Sequence, residues 1–171
     1  YLQCDDVKDN EPCCMCNSCI SIKQDNFSDY VELNAATNGG KEDIDRLLEN
    51  VNFSPSFGKA RVYVIDEAQR LSQSARVSLL KVLEEPPEHA YFILCTTEFE
   101  SIPDAIKNRC VKYEFSRIGK ADIFNSLQKI RESEGVKFTD EALELISESA
   151  DGSMRNAINS FSHISMPFGI E

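Results

Sequence analysis

Asp66 and Glu67 stand side by side at the end of an apolar run, Val62-Tyr-Val-Ile65. Two adjacent acids at the carboxyl end of a hydrophobic strand suit a Mg²⁺–nucleotide site. One can orient the metal's water shell, and the other can take a proton from an attacking water. In open α/β sheets, ligands bind at that end of the strands. A second apolar run, Tyr91-Phe-Ile-Leu-Cys-Thr-Thr97, follows downstream, and then Asn108-Arg109-Cys110. Each feature has a plainer reading. An Asp-Glu pair at a strand end can be a turn or capping pair, Thr96-Thr97 can be strand filler, and Arg109 can be a surface ion-pair residue.

The second chemistry-bearing group is Cys4, Cys13, Cys16 and Cys19, spaced C-x8-C-x2-C-x2-C. A two-residue gap lets two thiolates from one tight turn reach the same ion. The eight-residue excursion returns a further ligand to close a tetrahedron. Four sulfurs with no open position describe a structural Zn²⁺ site rather than a catalytic one. Pro12 and Asn17-Ser18 are turn formers and suit such a loop. The chain has seven cysteines, five of them within the first 19 residues, and no secretory signal. That clustering favours metal over disulfides, with a set of free or oxidised thiols as the alternative. Cys14 is the spare: it could be a substitute ligand, but it falls outside the even Cys13/Cys16/Cys19 register. His89 and His163 are isolated and read as surface or packing residues.

The elements that must position these groups follow from periodicity. Ile20-Ser-Ile-Lys-Gln24 reads as a short helical exit from the cysteine loop, and Tyr30-Val-Glu-Leu33 as a short strand. Lys41 to Asn50 is helical, with Ile44, Leu47, Leu48 and Val51 on one face. Asn52 to Lys59 is a loop, and Arg61 to Ile65 is the central strand. Ser72 caps a helix to about Glu84, with Val77, Leu80 and Leu83 inward, and Pro86-Pro87 stops it. After the Tyr91–Cys95 strand, Pro103 opens a short helix over Ile102 to Asn108. Val111 to Phe115 alternates as a fourth strand. Beyond Gly119 only helices are expected: Lys120–Glu134, Thr139–Ser149 and Gly152–His163. The order β-α-β-α-β-α-β then α-α-α predicts an α/β parallel-sheet core over residues 1–117 and an all-α domain over 118–171, with the boundary at Arg117 to Gly119.

Composition sets broad limits. The 171 residues are 42% hydrophobic and 27% charged, ordinary for a globular chain. No apolar run is long enough to span a membrane, and the polar start lacks the apolar core of a signal peptide. The expected setting is cytoplasmic. The net charge of −11 argues against a general nucleic-acid-binding surface, although a few local residues or helix N-termini can still touch DNA.

A nucleotide hydrolase of this type needs the phosphate loop G-x-x-x-x-G-K-[ST]. Three Gly-Lys pairs occur and all fail: Gly40-Lys41 has Ala35 and Glu42 at the flanking positions, Gly58-Lys59 has Phe53 and Ala60, and Gly119-Lys120 has Glu114 and Ala121. The chain nevertheless resembles the bacterial clamp-loader ATPase subunits of DNA polymerase III, the gamma/tau family of AAA+ proteins. The resemblance runs from Tyr1 to Ile164. It is carried by the cysteine pattern, Val62-Tyr-Val-Ile-Asp-Glu-Ala68, Ser78-Leu-Leu-Lys-Val-Leu-Glu-Glu-Pro-Pro87, Thr96-Thr97-Glu98, Asn108-Arg109-Cys110 and Gly152-Ser-Met-Arg-Asn-Ala157. Order and spacing together make it specific.

That resemblance implies an AAA+ P-loop NTPase core with an inserted zinc knuckle, followed by a helical lid. It makes Asp66 and Glu67 the Walker B pair, serving Mg²⁺ and activating water. Thr97, with or without Thr96, becomes sensor 1, which feels the γ-phosphate of ATP. Arg109 matches the arginine finger of the family's Ser-Arg-Cys motif, with Asn108 in place of the usual Ser. Arg155 becomes sensor 2, a phosphate-binding fork; the plain alternative is a solvated helix arginine. The implied activity is ATP-driven loading of a sliding clamp onto primed DNA, together with other clamp-loader subunits. A delta-prime-type scaffold, donating an arginine finger without hydrolysing ATP, is one alternative, and a free-standing zinc-knuckle interaction module is another. The family's phosphate loop is expected ahead of Tyr1 and its collar domain beyond Glu171, so the chain reads as an excised piece with an incomplete core. By itself it should neither bind ATP tightly nor hydrolyse it. The open place in its sheet is expected to be filled by self-association or by rearrangement of that edge. The last residues, from Ser165 on, do not resemble the family.

Overall fold

A computed structural model describes residues 1–165 of the chain. The divergent tail, apart from its first residue, Ser165, lies outside the described residues. Two compact units divide between Lys112 and Tyr113, ahead of the boundary expected at Arg117 to Gly119.

The first unit is built on a three-stranded parallel sheet in the order β1 (Tyr30–Asn34), β2 (Arg61–Asp66), β3 (Ala90–Leu94). The β2 strand is central, as its apolar run predicts. The register pairs Leu33 with Ile65 and Ile65 with Leu94, so the carboxyl ends of all three strands lie along one edge of the sheet. Parallel neighbours need crossover connections. These are α2 (Lys41–Leu48) between β1 and β2, and α3 (Gln73–Glu84) between β2 and β3. Ser72 caps α3 by accepting the Ala75 N–H at 3.2 Å. Ile44 of α2, Ala75 and Leu79 of α3 and Ile65 of β2 form one buried core. Leu47, Val51 and Tyr63 form a second, in which Tyr63 stacks on Phe92 at 5.0 Å between ring centroids. The opposite face of the sheet is more open, with Tyr91 and Ile93 about half exposed. A turn at Phe99–Ser101 leads to α4 (Asp104–Lys107), which Pro103 opens as expected.

Two expectations fail here. Val77 is not inward but 48% exposed, because the buried stripe of α3 runs through Ala75 and Leu79, four residues apart. Val111 to Phe115 is not a fourth strand. Its alternating side chains are exposed (Phe115 at 93%), and no ladder pairs it among the described residues. An alternating pattern makes a strand only where a neighbour supplies the backbone partners.

At the amino ends of β1 and β2, Asp29 and Arg61 form a buried ion pair, with Oδ1 3.0 Å from Nη2. Asp29 also accepts the backbone N–H groups of Ser56, Phe57 and Gly58 at 2.8 to 2.9 Å. Burial by itself would raise its carboxyl pKa. The three N–H bonds and the guanidinium outweigh that and hold it below its ordinary value.

The second unit is all-helical: α5 (Lys120–Glu134), α6 (Asp140–Ser149) and α7 (Met154–Ser165). Gly135 ends α5 in the left-handed conformation, at φ 65°. Thr139 caps α6 by accepting the Ala142 N–H. Ile123 and Leu127 of α5, Leu143 and Ile146 of α6, and Ala157 and Phe161 of α7 close the core. No helix among the described residues is long and apolar enough to cross a membrane.

Candidate functional site

The carboxyl edge of the sheet gathers the predicted acids and threonines. Asp66 is the last residue of β2, half-buried, and its Oδ1 accepts the Glu67 N–H at 3.0 Å. Its Oδ2 has no partner among the described residues, so it can face a hydrated cation. Glu67 takes a left-handed conformation, φ 52° and ψ 42°. That is uncommon for a residue with a Cβ, and such strain concentrates at functional sites. It turns the chain sharply into the 3₁₀ turn Ala68–Arg70. The turn is sewn to β3 because the Ala68 N–H donates to the Cys95 carbonyl at 2.9 Å and the Cys95 N–H donates to the Ile65 carbonyl at 2.9 Å.

The result is a connected polar group across the ends of β2 and β3. The Gln69 side chain is buried at its centre. Its Nε2 donates to the Glu67 carboxylate and to Thr97 Oγ1, the latter at 3.1 Å. Its Oε1 accepts the Thr96 hydroxyl at 2.8 Å. The structure therefore brings Glu67, Thr96 and Thr97 together beside Asp66. Sequence reasoning missed Gln69, for which the only local signal was its place two residues after a strand-end acid. Cys95, which precedes Thr96 in the chain, has its thiol pKa raised by desolvation and by the nearby Asp66 charge.

Arg109 lies just after α4 and is committed locally. Its Nη1 donates to the Ala105 carbonyl at 2.7 Å, and its Nη2 pairs with Glu84 Oε1 at 2.9 Å. It is not joined to the Asp66–Thr97 group within the first unit. Arg155 sits exposed in the first turn of α7, in the second unit.

The cysteine expectation has a definite geometry. The sulfurs of Cys4, Cys13, Cys16 and Cys19 all lie within 4.8 Å of one another. Cys14, exposed and left-handed at φ 57°, is not among them. The eight-residue excursion is a tight hairpin: Lys8 and Glu11 exchange backbone bonds of 3.1 and 2.8 Å. Asp9 and Asn10 at its tip both have positive φ, as a primed turn requires. Asn17 and Ser18 do not form the expected turn; they begin the helix α1 (Asn17–Lys23), with Cys16 as its N-cap. Backbone N–H groups point at the sulfurs, from Cys13 to Cys4 Sγ at 3.2 Å and from Cys16 to Cys13 Sγ at 3.3 Å. The Cys13 N–H lowers the Cys4 pKa, whereas burial pushes Cys19 up to about 12. Gathered sulfurs receiving N–H bonds fit a bound cation.

The knuckle is tied to the core by Gln3, which donates to the Ala60 carbonyl and accepts the Lys59 N–H at 2.9 Å. Gly58 makes room for it, since a Cβ there would lie 2.0 Å from Gln3 Oε1. His89 is a packing residue, with Nε2 3.0 Å from the Val51 carbonyl.

A family model described as DNA polymerase III, delta subunit matches residues 1–119. One described as the ATPase lid domain of the DNA polymerase III clamp loader subunit matches residues 122–159. Curated relatives include a DNA polymerase III subunit gamma from Buchnera aphidicola of Schizaphis graminum, 40% identical over 95% of this chain and 45% of that protein. The subunit tau of Bacillus subtilis is 40% identical over 92% of this chain and 28% of its own length. The Escherichia coli subunit tau is 37% identical over 92% and 25%. The chain thus spans less than half the length of these relatives. Among solved structures, the Thermotoga maritima RuvB Holliday junction branch migration motor superposes with a TM-score of 0.67, 16% identity, and 86% of this chain and 48% of its own covered. That likeness carries the fold alone, a parallel α/β core and an all-helical unit. On the sequence matches over both units, this chain belongs to the DNA polymerase III clamp-loader subunit family.

Proposed function

We propose that Asp66, Glu67 and Thr97 are the hydrolytic residues of a gamma/tau-type clamp-loader ATPase. The observation that carries this reading is the network at the ends of β2 and β3. The proton-accepting candidate, Glu67, and the sensor candidate, Thr97, share one amide beside the metal-binding candidate, Asp66. Asp66 would hold a hydrated Mg²⁺. The bound Mg²⁺ would supply charge neutralisation for the transferring phosphoryl group. Glu67 has one oxygen engaged by Gln69 and the other open to accept a proton from water. Thr97 Oγ1 accepts from Gln69, so its own O–H is left to donate to a phosphate oxygen or to the water. Arg109 would serve the nucleotide of a neighbouring subunit, and Arg155 on the lid would grip phosphate. Arg109 would first have to leave Glu84, an exposed pair of the kind worth about 0–1 kcal/mol, so its release is cheap.

The four clustered cysteines would hold a structural Zn²⁺, which orders the knuckle and takes no part in hydrolysis. The whole protein would assemble with other clamp-loader subunits and load a sliding clamp on primed DNA, in the cytoplasm. Carboxylates at both Walker B positions and relatives named gamma and tau favour this ATPase over a delta-prime-type scaffold. This chain alone exposes the outer edge of β3 and the sheet face bearing Tyr91 and Ile93. It would cover them by self-association.

Substituting Glu67→Gln in the full-length protein tests the central claim. Nucleotide affinity should persist while turnover falls by at least a hundredfold. Turnover within twofold of the parent would refute it.

A further inference from the structure

Among the described residues, Gln69 is a buried side chain that touches both Glu67 and Thr97. Its two amide hydrogens are both spent, one on each residue, and its carbonyl oxygen is spent on Thr96. Its main chain is fixed as well, because the Gln69 carbonyl accepts Arg76 Nη2 from α3 at 2.7 Å. A side chain so fully engaged has one orientation, and it imposes that orientation on its partners.

The residue type matters. A Lys or Arg donor in this place would form an ion pair with Glu67 and weaken it as a base. A carboxylate would repel it. An apolar residue would leave the carboxylate free to rotate. A neutral amide restrains one oxygen of Glu67 without removing its capacity to accept a proton at the other. The same amide connects the carboxylate to the hydroxyl of Thr97, 28 residues beyond Gln69 and one strand away. A displacement of Thr97 is thereby passed to Glu67 through two hydrogen bonds.

We propose that Gln69 is a positioning residue for ATP hydrolysis: it couples the sensor threonine to the water-activating glutamate and sets the direction of the Glu67 carboxylate. This rests on the reading of Glu67 as the residue that accepts water's proton. Gln69 would act through Glu67 and Thr97.

The test is steady-state ATP hydrolysis by the full-length protein in its assembled complex, with Gln69→Met, Gln69→Glu, Thr97→Ala and Glu67→Gln compared. Met keeps the length and packing of Gln but donates nothing, and Glu keeps its shape but reverses the interaction with Glu67. Both should lower kcat about tenfold to a hundredfold, the range seen when a group orienting a functional ligand is lost. The KM for ATP and nucleotide affinity should stay within twofold. A residue that only packs would not divide kcat from KM in this way. Gln69→Met combined with Thr97→Ala should lose less than the product of the two single losses, because both break the same link. If Glu67→Gln abolishes turnover while both Gln69 variants keep kcat within twofold, the coupling is overturned and the Walker B reading stands. If Glu67→Gln itself retains turnover, both are overturned.

Discussion

Asp29→Ala should be among the most destabilising single changes in the first unit, although it lies at the opposite end of the sheet from the candidate site. Asp29 is fully buried and Arg61 is 8% exposed. Removing the carboxylate leaves a guanidinium and three backbone N–H groups without their acceptor. Arg61 retains the Asn50 carbonyl at 2.6 Å and weaker contacts to Ser54 and Ser56. Breaking a buried pair from one side costs about 3–5 kcal/mol, a large part of a typical stability of ~5–15 kcal/mol. With a urea dependence of ~2 kcal/mol per M, the midpoint should fall by about 2 M. Near-ultraviolet circular dichroism of the tyrosines reads this transition, since Tyr63 is stacked in the core of this unit. The pH dependence has a fixed sign. Asp29 titrates below its ordinary value when folded, so its contribution is complete above the unfolded value of about 3.9 and is lost as pH falls through the folded one. The gap between parent and Asp29→Ala should be constant from pH 7 to 5 and close below about pH 4. A midpoint change equivalent to less than about 0.5 kcal/mol at pH 7 would refute the argument, because that is the range of an ordinary surface substitution.

Two further outcomes are expected. Metal analysis should find one zinc per chain, lost in Cys16→Ser and kept in Cys14→Ser; retention by the first or loss by the second would reject the four-cysteine site. Light scattering after size exclusion should show the 171-residue chain as a dimer or larger species, and a clean monomer would mean that the open edge of β3 needs no cover.

How much of this was legible in the sequence depends on the range of each interaction. The knuckle could be read because metal ligation constrains spacing directly, and the central strand because a buried parallel strand is apolar throughout. The place of Asp66 and Glu67 at the end of β2 was legible because an acid pair ending such a strand stands out against it. Val77 was misplaced for a local reason: Ala75 is small, so the true inner stripe of α3 looked weaker than a neighbouring one with larger side chains. The alternation of Val111, Tyr113 and Phe115 is a real pattern, but a strand is a property of two segments, and the pattern describes one. Asp29 with Arg61, and Gln69 with Thr97, are joined across 32 and 28 residues, and nothing in their immediate neighbours marks either pair. A glutamine two residues after a glutamate is unremarkable until the chain turns at the left-handed Glu67 and its amide meets Thr96 and Thr97. The charged positions of the proposed reaction thus announced themselves by residue type, whereas the neutral residues hydrogen-bonded to them emerge only from the tertiary structure. On the proposed coupling, a relative that keeps both acids but carries a residue at the Gln69 position unable to donate to both partners should turn over more slowly.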